Sequence, residues 1–254
     1  MGFLDILAKI LTKPVAPIVA PAVVVSPFPV ISPAFGPSTS VAVSTQHGVG
    51  IRVDHLVGMG VSQANALKYV GFLNHACEHF EINNHARICA FIAQTCEESG
   101  NLSTVSEDLN YRADVVCRLW PRFTLAQASA ACSAGPEAVG NLIYGGRMGN
   151  INPGDGYKFR GRGFIQLTGH DNYAESSKRL GVDLIANPDL VLVPEYCALT
   201  AADYWKNAGC NELSDPDTEE SVKVVTKRIN GGYINLETRL FNWRKAEVVF
   251  KDLK

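Results

Sequence analysis

The chain has 254 residues, 46% hydrophobic and 19% charged, with a formal net charge of −2. That length suits one substantial domain plus an appendage, and a domain of roughly 200 residues buries about 70% of its unfolded surface. The near-neutral balance, with no clustered basic surface, gives no electrostatic case for a nucleic-acid partner.

In chain order, residues 1–13 come first. Phe3, Leu7, Ile10 and Leu11 share one helical face, with Asp5 and Lys9 away from it. From Pro14 to Ile51 there is no Asp, Glu, Lys or Arg, and seven of the 13 prolines lie between Pro14 and Pro37. Proline at that density blocks a helix and an inner strand, which argues against a membrane span. It also interrupts a signal-peptide helix, and only Ala20-Pro21-Ala22 resembles a cleavage site. Residues 1–50 therefore read as a stiff tether led by a short amphipathic helix, able to dock to a membrane surface or a protein.

From about Gly50 the pattern turns helical. Helices are predicted over 62–79 and 84–99, the second capped by Asn83 or Asn84. Shorter ones follow at 124–132, 136–144 and 171–180, and a longer one at 195–208. Asp217-Thr218-Glu219-Glu220 opens a helix through Ile229, which Asn230-Gly231-Gly232 stops, and a last helix covers about 237–251. The exception is Tyr157–Thr168, which alternates: Phe159, Ile165 and Leu167 on one side, Arg160, Arg162, Gln166 and Thr168 on the other. A small strand region is predicted there, with Gly161 and Gly163 marking a bulge or a close backbone approach.

Glu98 and Glu107 flank the end of the second helix. At about 100° per residue Glu97 falls opposite the buried stripe of Ile88, Phe91, Ile92 and Cys96, and Glu98 near its edge. Glu97 should be solvated, whereas partial burial raises the Glu98 carboxyl as a general acid requires. An acid for the leaving oxygen and a base for water are what cleavage of a glycosidic bond needs.

Rival chemistry is thinner. His75, Cys77, His79, His85 and Cys89 make the one metal-like grouping, but H-E-x-x-H is missing and no third ligand sits at a recognisable spacing, so no metal or other cofactor is expected. Tyr144-Gly145-Gly146-Arg147-Met148-Gly149-Asn150 lacks the strand and Lys-Ser/Thr of a phosphate cradle and reads as a cleft loop. The seven cysteines contain no C-x-x-C pair and read as free thiols in a reducing compartment.

From about residue 56 to 250 the chain resembles glycoside hydrolase family 19, the chitinases and endolysins of lysozyme-like fold. The resemblance rests on ordered motifs: Phe91-Ile92-Ala93-Gln94, Glu98-Ser99-Gly100, Glu107-Asp108-Leu109-Asn110-Tyr111, Gly149-Asn150, Phe159-Arg160-Gly161-Arg162-Gly163-Phe164-Ile165-Gln166-Leu167-Thr168-Gly169, Asn172-Tyr173 and Ile229-Asn230-Gly231-Gly232. It implies a mainly α (α+β, lysozyme-like) fold over 51–254, with two helical lobes and a small β region flanking a cleft. It makes Glu98 the general acid and Glu107 the general base, with Thr168 helping to hold the water. Gln166, Asn172 and Asn230 would line the sugar cleft together with Arg162, and Tyr111 and Arg239 would support it. The family is inverting, which implies carboxyls roughly 6.5–9.5 Å apart. One departure is Glu97, where the family commonly has histidine. The expected substrate is the β-1,4-linked N-acetyl amino sugar polymer of peptidoglycan, with chitin as the alternative. The expected enzyme is a monomer made in the cytoplasm that reaches the cell wall after release.

Overall fold

Helix α1 (Val53–Met59) ends where Gly60 takes a left-handed conformation, and α2 (Gln63–His79) begins where the Ser62 hydroxyl accepts from the Asn65 amide. The computed structural model describes residues 49–253, so the tether and its leading helix lie outside the described residues. Helix α3 (His85–Ser99) is capped by Asn84, whose Oδ1 accepts from the Arg87 amide at 2.9 Å, and it stops at left-handed Gly100. Its residues from Ile88 to Cys96 are buried on every side, so it is the central post of the larger lobe.

Around α3 pack α1, α2, α9 (Pro194–Asn207), α10 (Cys210–Ser214), α11 (Glu219–Asn230) and α12 (Leu236–Val249). Their shared core includes Leu56, Leu73, Phe91, Phe164, Trp205 and Phe250. The smaller lobe is α4 (Ala113–Leu119), α5 (Leu125–Ala134) and α6 (Pro136–Tyr144), which close on Val116, Trp120, Ala128, Val139, Ile143 and Tyr144. A short α7 (Asp155–Lys158) packs on α6. Between the lobes, α8 (His170–Leu180) and a 3-10 turn at Pro188–Leu192 cover a third, small core of Phe159, Leu167, Tyr173, Leu184 and Val191.

The β region is smaller than the alternation at 157–168 implies. Among the described residues it consists of two isolated antiparallel bridges, Ser106 with Arg162 and Arg162 with Leu167. A tight turn replaces the strand: the Gln166 amide donates to Gly163 O at 3.2 Å, with Gln166 at φ 54°. The turn brings Gln166 and Thr168 inward, and both sides of the segment are buried. Gly163, at φ 75°, makes this possible, because a Cβ there would also stand 2.9 Å from Val191 Cγ1. The mainly helical, two-lobed fold is as the family resemblance implies. The short helices α1, α4, α7 and α10 and the 3-10 turn are additions to the predicted set.

Candidate active site

The last turn of α3 carries Glu98, which is 5% exposed. Its Oε1 accepts from Nη2 of fully buried Arg239 on α12 at 2.6 Å. The same guanidinium donates through Nη1 to Gln94 Oε1 and through Nε to Ile234 O at 3.2 Å. Gln94 in turn donates to Thr226 Oγ1 on α11 at 2.9 Å. Burial pushes the Glu98 carboxyl up, against the opposing pull of Arg239, and the neighbouring Glu97 adds to the rise. The carboxyl is thus held in one rotamer by a partner that is itself tied to Gln94 and Ile234.

Glu107 is positioned from the other side. Its amide donates to Gly161 O at 2.9 Å, and its Oε2 accepts from Gly161 N at 3.3 Å. Its Oε1 accepts from the Tyr144 hydroxyl at 2.6 Å, from the end of α6 in the small lobe. Burial raises the carboxyl to about 7, moderated by the hydrogen bonds from Tyr144 and Gly161 and by the charge of Arg160. A carboxylate with that basicity is well matched to removing a proton from water near neutral pH.

Gly161 makes the meeting point. A Cβ built on it would lie 2.8 Å from Gln166 Oε1, 3.2 Å from Thr168 Oγ1 and 3.4 Å from Glu107 Oε2. Three side-chain oxygens therefore converge on the space that a missing side chain leaves. Thr168 donates its hydroxyl to Gln166 O at 2.8 Å, and Gln166 donates through Nε2 to Gly163 O at 3.0 Å. Gln166 Oε1 is buried without a donor, so a hydroxyl or amide entering here would find an acceptor waiting.

The remaining expected residues fall into two groups. Asn172, exposed on the first turn of α8, donates to Thr168 O at 2.7 Å and braces the threonine. Tyr111 packs edge-on against Trp120 at 5.7 Å, on the small-lobe side. Asn230 is buried and spends its amide on its own turn, donating to Ile234 O at 3.2 Å and accepting from Gly232 N at 2.9 Å. Arg162 is 1% exposed and donates to Lys158 O at 2.8 Å, Tyr173 OH at 3.1 Å and Asp189 Oδ1 at 2.7 Å, so it fastens the turn from behind. Glu97 differs from the solvated acid that its helix angle implies. It is half-buried and accepts from Asn235 Nδ2 at 2.9 Å.

Sequence reasoning gave no site role to Tyr144, Gln94 or Gly161. Gln94 lies one turn before Glu98 on the same face, a signal that helical spacing carries. Tyr144 is 37 residues from Glu107, and nothing local announces the contact.

Two buried carboxyls, one paired with an arginine and one beside a cup of side-chain oxygens, are thus held within a two-lobed helical domain. The sequence matches the profile of glycoside hydrolase family 19, described as chitinase class I, over residues 62–218. It is 37% identical over 172 residues to a glycosyl hydrolase family 19 domain-containing protein of Haemophilus influenzae, covering 66% of this chain and 82% of that one. It is 35% identical to the acidic 27 kDa endochitinase of Solanum lycopersicum, over 56% of this chain and 62% of the tomato protein. Among solved structures, chitinase C from Streptomyces griseus superposes with a TM-score of 0.53 at 18% identity, over 80% of this chain and 77% of that chain, a likeness of fold. The chain belongs to glycoside hydrolase family 19 and is a glycosidase acting on polysaccharide.

Proposed function

We propose that the enzyme hydrolyses β-1,4 links between N-acetyl amino sugars of peptidoglycan, with inversion at the anomeric carbon. Glu98 gives its proton to the leaving oxygen. Glu107, aided by Thr168, draws one from the attacking water, and Gln166 Oε1 accepts from the sugar. The observation that carries this reading is the convergence of Glu107, Gln166 and Thr168 on the gap beside Gly161. The match along most of a bacterial relative favours a bacterial wall polymer, since the tomato chitinase is matched over a smaller share of its length. The enzyme is made in the cytoplasm and meets its substrate after release.

Chitin is the second reading, favoured by the relatives named as chitinases. Purified peptidoglycan and N-acetylglucosamine oligomers should be digested separately and the products weighed by mass spectrometry. Soluble disaccharide-peptide fragments from peptidoglycan, at a rate above that on the oligomers, are expected. Cleavage of the oligomers alone would assign the enzyme to chitin. Proton NMR of the fresh products should show the α-anomer first; a β-anomer first would contradict inversion.

A further inference from the structure

Helices α3 and α12 run antiparallel, and their pairing is bridged at both ends. At one end Glu98 meets Arg239; at the other, His85 on the first turn of α3 meets Glu247 on the last turns of α12. The thirteen residues from His85 to Glu98 put these ends about 20 Å apart. At the second end, Cys89 Sγ lies 3.6 Å from His85 Nε2, and Asp217 Oδ2 and Glu247 Oε1 each lie 3.8 Å from His85 Nδ1. One ligand atom from each of His85, Cys89 and Glu247 falls within 4.8 Å of the others.

This cluster is poorly satisfied as it stands. Among the described residues no hydrogen bond of normal geometry reaches Asp217 Oδ1 or Glu247 Oε1, both shielded from solvent, and the Glu247 carboxyl leans on the Cys89 thiol. Two neighbouring acids with one imidazole and a buried thiol are repulsive unless a proton or a cation lies between them. Asp217 is also held at φ 52°, a conformation that costs a non-glycine residue energy and that brings its carboxylate to the cluster.

We propose that His85, Cys89 and Glu247 bind a zinc ion, with Asp217 as fourth ligand or as the carboxylate that orients the imidazole. A set of one thiolate, one imidazole and carboxylate suits tetrahedral zinc, in which ligand atoms stand roughly 3.3–3.8 Å apart, so a contraction of about 1 Å or less closes the site. Cys89 would bind as the thiolate, so affinity rises with pH. His85 also lines a recess of about 630 Å³ with Val49, Asn83, Asn84, Asp252 and Leu253. The site ties α3, the start of α11 and the end of α12 together, so its role is to clamp the larger lobe.

The full chain, stripped with chelator and dialysed, should be titrated with zinc by calorimetry and loaded with cobalt(II) for absorption spectroscopy. Expected are one equivalent of zinc, a rise in melting temperature of roughly 5 °C or more at a hundredfold excess over Kd, and a sulfur-to-cobalt charge-transfer band. Cys89→Ser and Glu247→Gln should each abolish the band and the thermal shift while leaving activity per folded molecule unchanged. His75→Ala/His79→Ala, which removes the exposed histidine pair on α2, should change neither. If Cys89→Ser fails to fold, Glu247→Gln decides alone. Zinc binding below a tenth of an equivalent, a cobalt spectrum without the sulfur band, or full binding by Glu247→Gln would overturn the proposal.

Discussion

At residue scale the two carboxyls are both raised, and for the same first reason, burial, yet they are tuned differently. Glu98 is opposed first by the charge of Arg239, Glu107 first by a neutral hydroxyl and a backbone amide and only then by the charge of Arg160. Glu98→Gln keeps the side chain's shape and an oxygen for Arg239 to donate to, and should fold normally. It should lose on the order of 10²–10⁴ in kcat, measured on soluble oligomers; a folded variant with near-normal kcat would remove Glu98 from the mechanism. Glu107 carries a stability cost with a definite sign. In the unfolded chain its carboxyl loses its proton near 4.5, whereas the folded one holds it to about 7. Between those values the native state binds more protons, so stability falls as pH rises through the interval, by roughly 3 kcal/mol in total. Glu107→Gln removes that loss. It should be inactive, yet more resistant to urea than the parent at pH 8, with the difference vanishing near pH 4. Equal gains at both pH values would mean the raised pKa is not the cause. In the parent, activity should rise with pH through about 7 as the base ionises. Tyr144→Phe, which removes a bond to the ionised form, should move that limb to higher pH.

At element scale the long helices were legible because their signals are local. Ser62, Asn84, Thr124 and Thr218 each cap the helix they precede, and Gly100 and Gly231 end theirs in left-handed geometry. Helical spacing also set Glu98 apart from Glu97, though it could not foresee that Asn235 would come to cover Glu97. The 157–168 segment was misread in shape because alternation over so few residues does not distinguish a strand from a glycine-hinged turn with two inward polar side chains. The strand reading puts Arg162 on the polar face with Gln166, while the turn ties it to Asp189 and Tyr173. Gly161 tests the turn directly. Its backbone would accept alanine, but the added methyl would press on Gln166 Oε1. Gly161→Ala should fall roughly 10²-fold in kcat/KM with little change in melting temperature. Retained activity would show that the cup around Gly161 does not receive substrate.

At the scale of the whole molecule, catalysis depends on two cores of unequal strength meeting at one hydrogen bond. The larger lobe buries Phe91, Trp205, Phe250 and many aliphatic side chains around α3. The smaller lobe relies on Trp120 and a few aliphatic residues, with alanines filling much of the rest. That smaller core supplies Tyr144, and Tyr144 lowers the pKa of the base. If the lobe loosens, Glu107 loses the Tyr144 donor that fixes its carboxylate, so the enzyme stops before it unfolds. Trp120→Ala exposes this coupling, since truncating a buried aromatic costs about 3–5 kcal/mol and falls here on the weaker lobe. In a urea titration of the variant, activity should vanish well before the far-UV helical signal, most of which comes from the larger lobe. Hydrogen exchange should show α4–α6 opening while α3 stays protected. If activity and helix content are instead lost together, the lobes unfold as one unit and Tyr144 is no more than a passive contact.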